Sequence, residues 1–580
     1  MPKEISEFVT KHDEGVRYIL FGILTVIVSW ITYAAFVFVG IDMAVSNILS
    51  WFCAVLFAFV VNKIYVFKCV GSSKVRLGAE LVSFFGGRIL TGILAGVLFP
   101  ALCAIGLGFT FMGVAGLFAR GITSLVEIAL NYLLSKFLVF RKPNEDGHPF
   151  IWMPGFLKDM DPGLRQSILK FTEIFAFAAV IFFTAFRFSG IDSEVGTLYF
   201  RYAENMVSGK MPYSDFDAEY PPFAMLIILI PRLYSFDSFS YQVAFGILVY
   251  AFLLAGLVWT YRIAEKYTDK PGRAADYFLV FTLVLLDFVL DRYDVFPMIM
   301  LVGSLYFFSR EKYAASWIML ALGTVTKLYP ALAAPIYLIY FIKKKEYGQA
   351  FKGVGICLVI GIASMLPFFI ADPESSLMFL TYHMDRGLQT EAPVSCILML
   401  LGNLGVIDVS YIFSYGSDNI YGSVPDAIAK VMMPLMVVCV LAVYVVYAIR
   451  SKEDREPFAD IHYAAFAAVM AFMLANKVLS SQYLIWMIGF MAVTMFLIPR
   501  KKRSSTGWLF IATVALTQLN LVVNYAFRDA GEEFTLFGIL ILVARNALLI
   551  WLTYLVVRWG LKGVAPEGEL AGNDEAVEEV

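Results

Sequence analysis

The chain has 580 residues, of which 60% are hydrophobic and only 16% are charged, and its net charge is −2 at pH 7. A soluble core cannot hide this much apolar surface, so the composition excludes an ordinary globular protein, and the absence of a basic stripe excludes a nucleic-acid-binding one. Apolar runs long enough to cross about 30 Å of hydrocarbon recur along the chain, and helices satisfy their own backbone groups in lipid. We therefore predict an all-α polytopic membrane protein.

The N-terminal block contains four apolar runs between residues 17 and 142. The preceding residues carry both charge signs and no apolar core, which argues against a cleavable signal peptide. Residues 62–68, NKIYVFK, align with residues 135–141, SKFLVFR, and Arg17 and Arg88 open corresponding runs. This repetition predicts two helical hairpins in direct repeat, with their basic ends in the cytoplasm.

The RYILFGILTVIVSW opening and the two K-x-x-V-F endings of this block resemble the GtrA-like family. The resemblance implies a four-helix membrane domain that moves polyprenyl-phosphate-linked sugars or serves their transferases. Arg88, Arg120 and Glu127 are the candidate lipid-binding residues. Because Arg120 and Glu127 lie two helical turns apart on one face, they can meet a lipid phosphate or form a structural ion pair with each other.

Composition divides the rest of the chain. Proline, glycine and charged residues cluster at 143–165, where Trp152 and Phe156 suit a membrane interface. The acidic C-terminal segment lacks aromatic residues and reads as a disordered tail. The predicted domains are a GtrA-like domain at 1–142, an interfacial linker at 143–165, a multi-span domain at 166–562 and the tail at 563–580. The lengths allow about twelve to fourteen spans.

The positive-inside rule orients the multi-span domain. Basic clusters at 343–346, 450–456 and 499–503 are predicted to be cytoplasmic. Counting spans from them places four polar loops together on the other side, namely the loop after the first span of this domain and residues 372–392, 477–482 and 528–533. Two apolar segments, 221–236 and 394–405, are too short for ordinary spans and are expected to be re-entrant or tilted.

The first of these external loops, residues 191–222, combines carboxylates with aromatic residues. Apolar residues recur with helical spacing from Val195 to Met206 and stop at Gly209, which predicts an amphipathic helix on the membrane surface. Asp192 lies just before this helix. Its two interpretations are an N-cap, worth about 1 kcal/mol, and a general base.

Sugar transfer from a phosphate carrier favours the second interpretation of Asp192. One carboxylate must take the proton of the acceptor hydroxyl, whereas the departing phosphate needs no general acid. A single acid suffices, unlike the pair used in glycoside hydrolysis. Asp217 and Glu219, before the extended Tyr220-Pro-Pro segment, are predicted to bind sugar hydroxyls. They also allow a divalent cation, although no cofactor is required and no metal ligand is assigned.

Cations embedded in apolar sequence are the remaining signal. Each costs about 2 to 4 kcal/mol at mid-membrane if unpaired, so a shared anion, an internal salt bridge or snorkelling to the interface is expected. Preorganised cations stabilise a departing phosphate, and the candidate phosphate ligands are Arg292, Lys327, His383, Arg386 and Lys477. The neighbouring candidates for sugar or acceptor binding are Asp294, Gln389, Glu391, Gln482, Tyr483 and Tyr220. Tyr293, Tyr329, Tyr483 and Trp486 are candidates for stacking on a sugar or prenyl chain.

Five segments carry a second resemblance: the Asp192 loop, the Arg292-Tyr-Asp segment, the Lys327-Leu-Tyr-Pro segment, Asp385-Arg386 and residues 477–483. Together they resemble the C-superfamily of membrane glycosyltransferases, in particular its polyprenol-phosphate-mannose-dependent mannosyltransferase-like group. The resemblance implies that the acid of the first external loop, Asp192, is the catalytic base. Two departures are Ser481, where proline is usual, and Ala392, where serine is usual.

These observations predict an inverting glycosyltransferase that moves a hexosyl or pentosyl group from a polyprenyl-phosphate carrier to an extracytoplasmic glycan or glycolipid. The N-terminal domain would recruit or flip the donor in a prokaryotic plasma membrane. One alternative is a flippase or transporter of sugar lipids without chemistry. Another is a polymerase or ligase that joins whole lipid-linked glycans.

Overall fold

A computed structural model describes residues 13–38, 43–67, 80–81, 84–88, 91–92, 110–111, 114–115, 117–135, 160–189, 193–377, 379, 386–451, 457–525 and 529–562. Over these ranges the chain is helical apart from short strands, which confirms the predicted all-α polytopic fold. Eight of the described helices are long and apolar enough to cross a membrane, and seven further apolar helices are shorter. Neither Asp192 nor His383 lies within the described residues.

The chain divides into two compact units, Met1–Asp161 with Thr172–Thr184 and Pro162–Phe171 with Ala185–Val580. The predicted limits of the four domains stay predictions, because most of the linker and the whole acidic tail lie outside the described ranges.

The first unit contains helices α1 (Asp13–Phe38), α2 (Met43–Val61) and α3 (Leu117–Leu134), with a small antiparallel pair, β1 (Thr110–Phe111) and β2 (Val114–Ala115). The aligned repeat segments share a local feature. Both Asn62 and Ser135 are buried, and at each of them the helix changes to a π-helical pattern. A π-helical turn is rare and often marks a functional position, so this shared feature supports the repeat.

Downstream, the helices are α4 (Pro162–Ser189), α5 (Phe200–Val207), α6 (Pro222–Arg232), α7 (Ser238–Ala264), α8 (Gly272–Val284), α9 (Leu286–Asp291), α10 (Val295–Ser309), α11 (Tyr313–Thr326), α12 (Ala334–Lys343), α13 (Tyr347–Ala371), α14 (Pro393–Asn403), α15 (Ser423–Arg450), α16 (Pro457–Leu474), α17 (Ile485–Leu497), α18 (Arg500–Asn524) and α19 (Leu536–Lys562). Helices α6 and α14 have 11 residues each. At 1.5 Å per residue they are roughly 16 Å long, so the two segments predicted to be short do not cross the bilayer as straight helices.

The amphipathic helix of the first external loop is present. A π-helical turn at Val195–Tyr199 leads into α5, and the residues of one face are buried. Gly209 adopts φ +87°, and the amides of Gly209 and Lys210 donate to the carbonyls of Met206 and Asn205. This is a Schellman ending, which requires a left-handed residue and explains why the helix stops at this glycine.

A three-stranded antiparallel sheet, which was not predicted, lies between α13 and α15. Its strands are β3 (Leu388–Gln389), β4 (Ser410–Ser414) and β5 (Ser417–Tyr421), in the order β3-β5-β4. Tyr415 and Gly416 have positive φ, as a two-residue hairpin turn requires. The sheet packs through Leu388 and Ile420 on a core with α14 and α19.

Two of the three predicted cytoplasmic anchors, 343–346 and 450–456, are in contact with each other. Lys343 Nζ donates to the carbonyl of Ser451 at 2.7 Å, and Arg450 Nη1 donates to that of Leu561 at 3.0 Å. Asp294 and Trp486, which belong to the predicted polar site, lie at the starts of α10 and α17.

Candidate functional site

The first external loop meets the start of α10 through an ion-pair network centred on Arg292. Arg292 Nη2 lies 2.9 Å from Glu194 Oε2, and Nη1 lies 2.5 Å from Asp291 Oδ2. Tyr220 donates its hydroxyl to Glu194 Oε1 at 2.8 Å. The Asp291 carboxylate also accepts from the Ser193 hydroxyl at 2.5 Å. Two carboxylates therefore balance the charge of Arg292, and the predicted phosphate ligand is held by acids.

The environment of Glu194 affects its acidity. Burial raises the pKa of this carboxyl above its ordinary value of 4.5, against the opposing effects of Arg292 and of the Tyr220 hydrogen bond. Negative charge on Asp291 and Glu219 raises it further. A carboxylate whose pKa is moved toward neutrality is a better proton acceptor, and such shifts are frequent at catalytic sites.

Lys327 occupies an aromatic cage beside this network. Its ammonium lies 4.8 Å from the ring centre of Tyr293, 5.3 Å from Tyr483 and 5.5 Å from Trp486. Asp294 Oδ1 accepts from Lys327 Nζ at 2.7 Å and from the Trp486 indole at 2.6 Å. Tyr329 and Trp486 stack on each other with centroids 3.9 Å apart. The predicted stacking aromatics thus mostly cover one another and the lysine, leaving Tyr483 as the half-exposed ring of the stack.

Arg386 differs from these cations. It is buried, with 8% of its surface exposed, and it has no carboxylate partner among the residues that the structure describes. One of its terminal nitrogens donates to the Ser417 hydroxyl of β5, while its Nε has no hydrogen-bond partner in the described part of the chain. A buried guanidinium without a carboxylate partner is suited to an anion.

Two paired segments hold Arg386 in place. Lys477 Nζ donates to the Arg386 carbonyl at 2.5 Å, and the Gln389 amide donates to the Lys477 carbonyl at 3.0 Å. The Gln389 side chain also donates to the Ser480 hydroxyl at 3.0 Å. Because Tyr483 follows Ser480 closely, this pairing connects Arg386 to the cage around Lys327.

Glu391 is the third charged centre. Its carboxylate accepts from Arg545, Ser481 and Tyr525, and Asn546 donates to its backbone carbonyl. Ser481 stands where proline is usual in the C-superfamily of membrane glycosyltransferases. In this chain its hydroxyl has a hydrogen-bond partner, the Glu391 carboxylate. The donors around Glu391 occupy the carboxylate that was predicted to bind sugar or acceptor.

The structure thus brings most of the predicted residues together. One connected set contains Arg292, Lys327, Asp294, Tyr220, Tyr483, Gln389, Arg386 and Lys477. Glu219 lies near enough to influence Glu194, Asp217 is exposed and Gln482 is half-buried. The placement of Asp192 and His383 falls outside the described residues. No metal-binding group of His, Cys, Asp or Glu side chains occurs in the described ranges.

Sequence reasoning missed Glu194, Arg545 and Tyr525. Glu194 is one of several acids in a loop, and nothing local distinguishes it. Arg545 gave a clearer signal, because it interrupts an apolar helix of 27 residues. An ionisable residue in such a helix usually has a buried partner.

In the N-terminal unit, Arg88 Nη2 lies 3.4 Å from the Tyr18 hydroxyl, and its guanidinium lies 5.1 Å from the ring centre of Phe84. Tyr18 packs edge-on against Tyr132 with centroids 5.1 Å apart. Glu127 is half-buried, and the side chain of Arg120 lies outside the described atoms, so their predicted pairing stays a prediction.

Comparison with known families assigns both blocks. The GtrA/DPMS transmembrane domain matches residues 17–148, and glycosyltransferase family 87 matches residues 219–475. The chain joins a GtrA-type membrane domain to a family 87 glycosyltransferase domain. Both predicted resemblances are confirmed, and the protein is an integral membrane glycosyltransferase with a role related to polyprenyl-phosphate sugars. The family 87 match includes Arg292, Lys327 and Arg386.

Similar proteins cover the GtrA-type domain. The uncharacterized membrane protein YwcD of Bacillus subtilis is 31% identical over 132 residues, which are 22% of this chain and 98% of that protein. The cell wall teichoic acid glycosylation protein GtcA of Listeria innocua is 32% identical over 125 residues, 21% of this chain and 82% of that protein. The Listeria monocytogenes protein of the same name is 28% identical over 125 residues, with the same coverage. These bacterial relatives are consistent with a plasma-membrane location.

Proposed function

We propose that this protein transfers a sugar, with inversion, from a polyprenyl-phosphate carrier to a glycan or glycolipid acceptor on the extracytoplasmic side of the membrane. The observation that carries the proposal is Arg386, a buried arginine without a carboxylate partner among the described residues. Glycosyl transfer from a phosphate carrier needs such a cation together with a proton acceptor, because the acceptor hydroxyl loses a proton while the leaving phosphate gains negative charge.

In the proposed reaction, Asp192 takes the proton of the acceptor hydroxyl. The acceptor oxygen attacks the anomeric carbon from the face opposite the phosphate, the bond from that carbon to the phosphate oxygen breaks, and polyprenyl phosphate leaves with the electron pair. Arg386 and Lys477 stabilise the charge on the leaving group. Glu194, which follows Asp192 by two residues, pairs with Arg292, and this ion pair fixes the loop that carries the base.

The location of the basic anchors supports an extracytoplasmic site. Lys343 and Arg450 lie at the opposite ends of helices from the polar residues, and basic clusters favour the cytoplasm. The donor would then be used on the side to which lipid-linked sugars are delivered. The printed names of the Listeria relatives suggest a cell-envelope polymer as the acceptor.

The GtrA-type domain would recruit or flip the donor. Arg88, which faces the Tyr18 hydroxyl and the Phe84 ring, is a candidate ligand for its phosphate. Joining the two domains in one chain raises the effective concentration of donor at the transferase.

The test uses the full chain in nanodiscs with synthetic polyprenyl-monophosphate sugars. We expect Asp192→Asn to lower kcat by about 10²- to 10⁴-fold and the matched variant Asp269→Asn, at an exposed acid outside the site, to retain most activity. Normal turnover by folded Asp192→Asn contradicts the assigned base. Movement of sugar lipid without any glycosidic product supports a flippase, and preference for diphosphate donors supports a polymerase or ligase.

A further inference from the structure

Glu391 is buried, with 5% of its surface exposed, and several hydrogen-bond donors surround it. Arg545 Nη1 lies 3.0 Å from Oε2, the Ser481 hydroxyl lies 2.5 Å from the same oxygen, and the Tyr525 hydroxyl lies 3.3 Å from Oε1. The Glu391 backbone carbonyl accepts from Arg545 Nη2 at 2.6 Å and from Asn546 Nδ2 at 3.2 Å. Arg545 itself is 1% exposed.

This arrangement leaves little of Glu391 for a ligand. A buried ion pair is favourable only when its remaining lone pairs and protons are satisfied, and Glu391 meets that condition through side chains from three separate segments. A sugar hydroxyl would have to replace one of these donors. The contacts therefore fit a residue that fixes the backbone better than one that binds the sugar.

What Glu391 fixes is the segment that carries Arg386. Residues 386–391 run beside residues 477–481, and they are joined by the contact of Lys477 with the Arg386 carbonyl at one end and by the contact of Ser481 with Glu391 at the other. Between them, Gln389 bonds to both the Lys477 carbonyl and the Ser480 hydroxyl. A shift of Glu391 would consequently be transmitted to the Arg386 guanidinium.

We propose that Arg545 is a positioning residue which, by clamping Glu391, holds the paired segments 386–391 and 477–481 so that Arg386 faces the phosphate of the lipid carrier. The proposal rests on the proposed function, because it takes Arg386 as the phosphate ligand. It replaces the predicted role of Glu391 in sugar or acceptor binding, and it gives Arg545 a role although Arg545 does not touch the substrate.

The experiment measures binding of farnesyl phosphate to the full chain in nanodiscs, with farnesol as the probe that lacks phosphate. Neither probe carries a sugar, so the experiment does not depend on which sugar the natural donor carries. The variants are Arg386→Gln, Arg545→Lys, their combination, and Ser481→Ala, which removes one hydroxyl from Glu391 with little change of volume. Arg503→Lys is the matched control, since Arg503 is another buried arginine and bonds to the carbonyls of Ile498 and Phe496.

We expect Arg386→Gln to weaken farnesyl phosphate binding by at least about tenfold, as loss of a charged hydrogen bond predicts. Arg545→Lys should weaken it by about fivefold and Ser481→Ala by about twofold, through misplacement of Arg386. The double variant should bind within about twofold of Arg386→Gln, because both changes act on one contact. Farnesol binding and the Arg503→Lys variant should match the parent.

Two failures are distinguishable. If the parent binds farnesyl phosphate no better than farnesol, the phosphate site fails, and the proposed function and the clamp are both overturned. If Arg386→Gln loses binding while folded Arg545→Lys and Ser481→Ala bind like the parent, only the clamp is overturned. The clamp is also overturned if the double variant loses affinity for farnesyl phosphate by the product of the two single losses, because Arg545 would then act independently of Arg386.

Discussion

Two regions of the candidate site manage charge in opposite ways. Around Arg292 and Lys327, each cation has a carboxylate within 3 Å, supplied by Glu194, Asp291 and Asp294. Around Arg386, the cation donates to a serine hydroxyl and has no carboxylate partner among the described residues. In the first region three carboxylates face two cations, so no positive charge is left over, whereas the second retains positive charge for an incoming anion.

This difference assigns different tasks to residues that look alike in the sequence. Arg292 and Lys327 build and orient the acid-rich loop, and Arg386 is left for the phosphate.

Asp294→Asn should cause the largest loss of stability. It leaves the Lys327 charge in its aromatic cage without a counter-ion, which costs about 3 to 5 kcal/mol of unfolding free energy. The matched change is Asp276→Asn, whose partner Lys170 is half exposed, and it should cost at most about 1 kcal/mol. Denaturant titration in mixed micelles measures both. Equal losses would contradict the view that the Lys327 pair is structural and buried.

Among the residues that the structure describes, Arg386→Gln should cause the largest loss of catalysis. Removing the cation that stabilises the leaving group is expected to lower kcat/KM for a polyprenyl-monophosphate sugar by about 10²-fold. Arg386→Lys should recover part of this activity, because it restores the charge without the planar fork. If steady-state kinetics show Arg386→Gln to be as active as the parent, the site does not place phosphate at this residue.

Glu194→Gln should lower kcat by about tenfold, because it removes the charge that holds Arg292 against the loop. It should also change the pH profile. Since burial raises the pKa of Glu194 above 4.5, the carboxylate becomes protonated as the pH falls through that raised value, and the parent should lose activity there. The glutamine variant should lack this acid limb. If the acid limb of the pH profile is unchanged in Glu194→Gln, a group other than Glu194 titrates there.

Tyr220→Phe should have the smallest effect. It removes one hydrogen bond to Glu194, worth about 1 kcal/mol, so kcat should fall by about fivefold. Tyr415→Phe, at the exposed hairpin turn, is the control and should behave like the parent. A loss much larger than that of Glu194→Gln would indicate that the Tyr220 hydroxyl has a role of its own.

Local rules predicted local structure well. The end of α5 at Gly209 and the extended Pro221 before α6 follow from backbone preferences of single residues. Convergence of the polar segments was also predictable, because spans counted from the basic anchors place these segments on one side.

Partners distant in the chain were not predictable. The sequence presents Arg292, Lys327 and Arg386 as equivalent cations in apolar surroundings, and only the fold reveals that Glu194 and Asp294 neutralise the first two. Glu391 likewise looks like a ligand until Arg545 is seen beside it. The three-stranded sheet was missed because its strands are short, and neither SYIFS nor SDNIY shows the polar–apolar alternation that identifies a half-buried strand.

The most direct measurement is a cryo-electron microscopy structure of the full chain in nanodiscs with farnesyl phosphate bound. The account predicts phosphate oxygens about 2.7 to 2.9 Å from the Arg386 guanidinium, while Glu194 keeps its contact with Arg292. A phosphate held by Arg292, with Glu194 displaced from it, would contradict the division of charge on which the proposed mechanism depends.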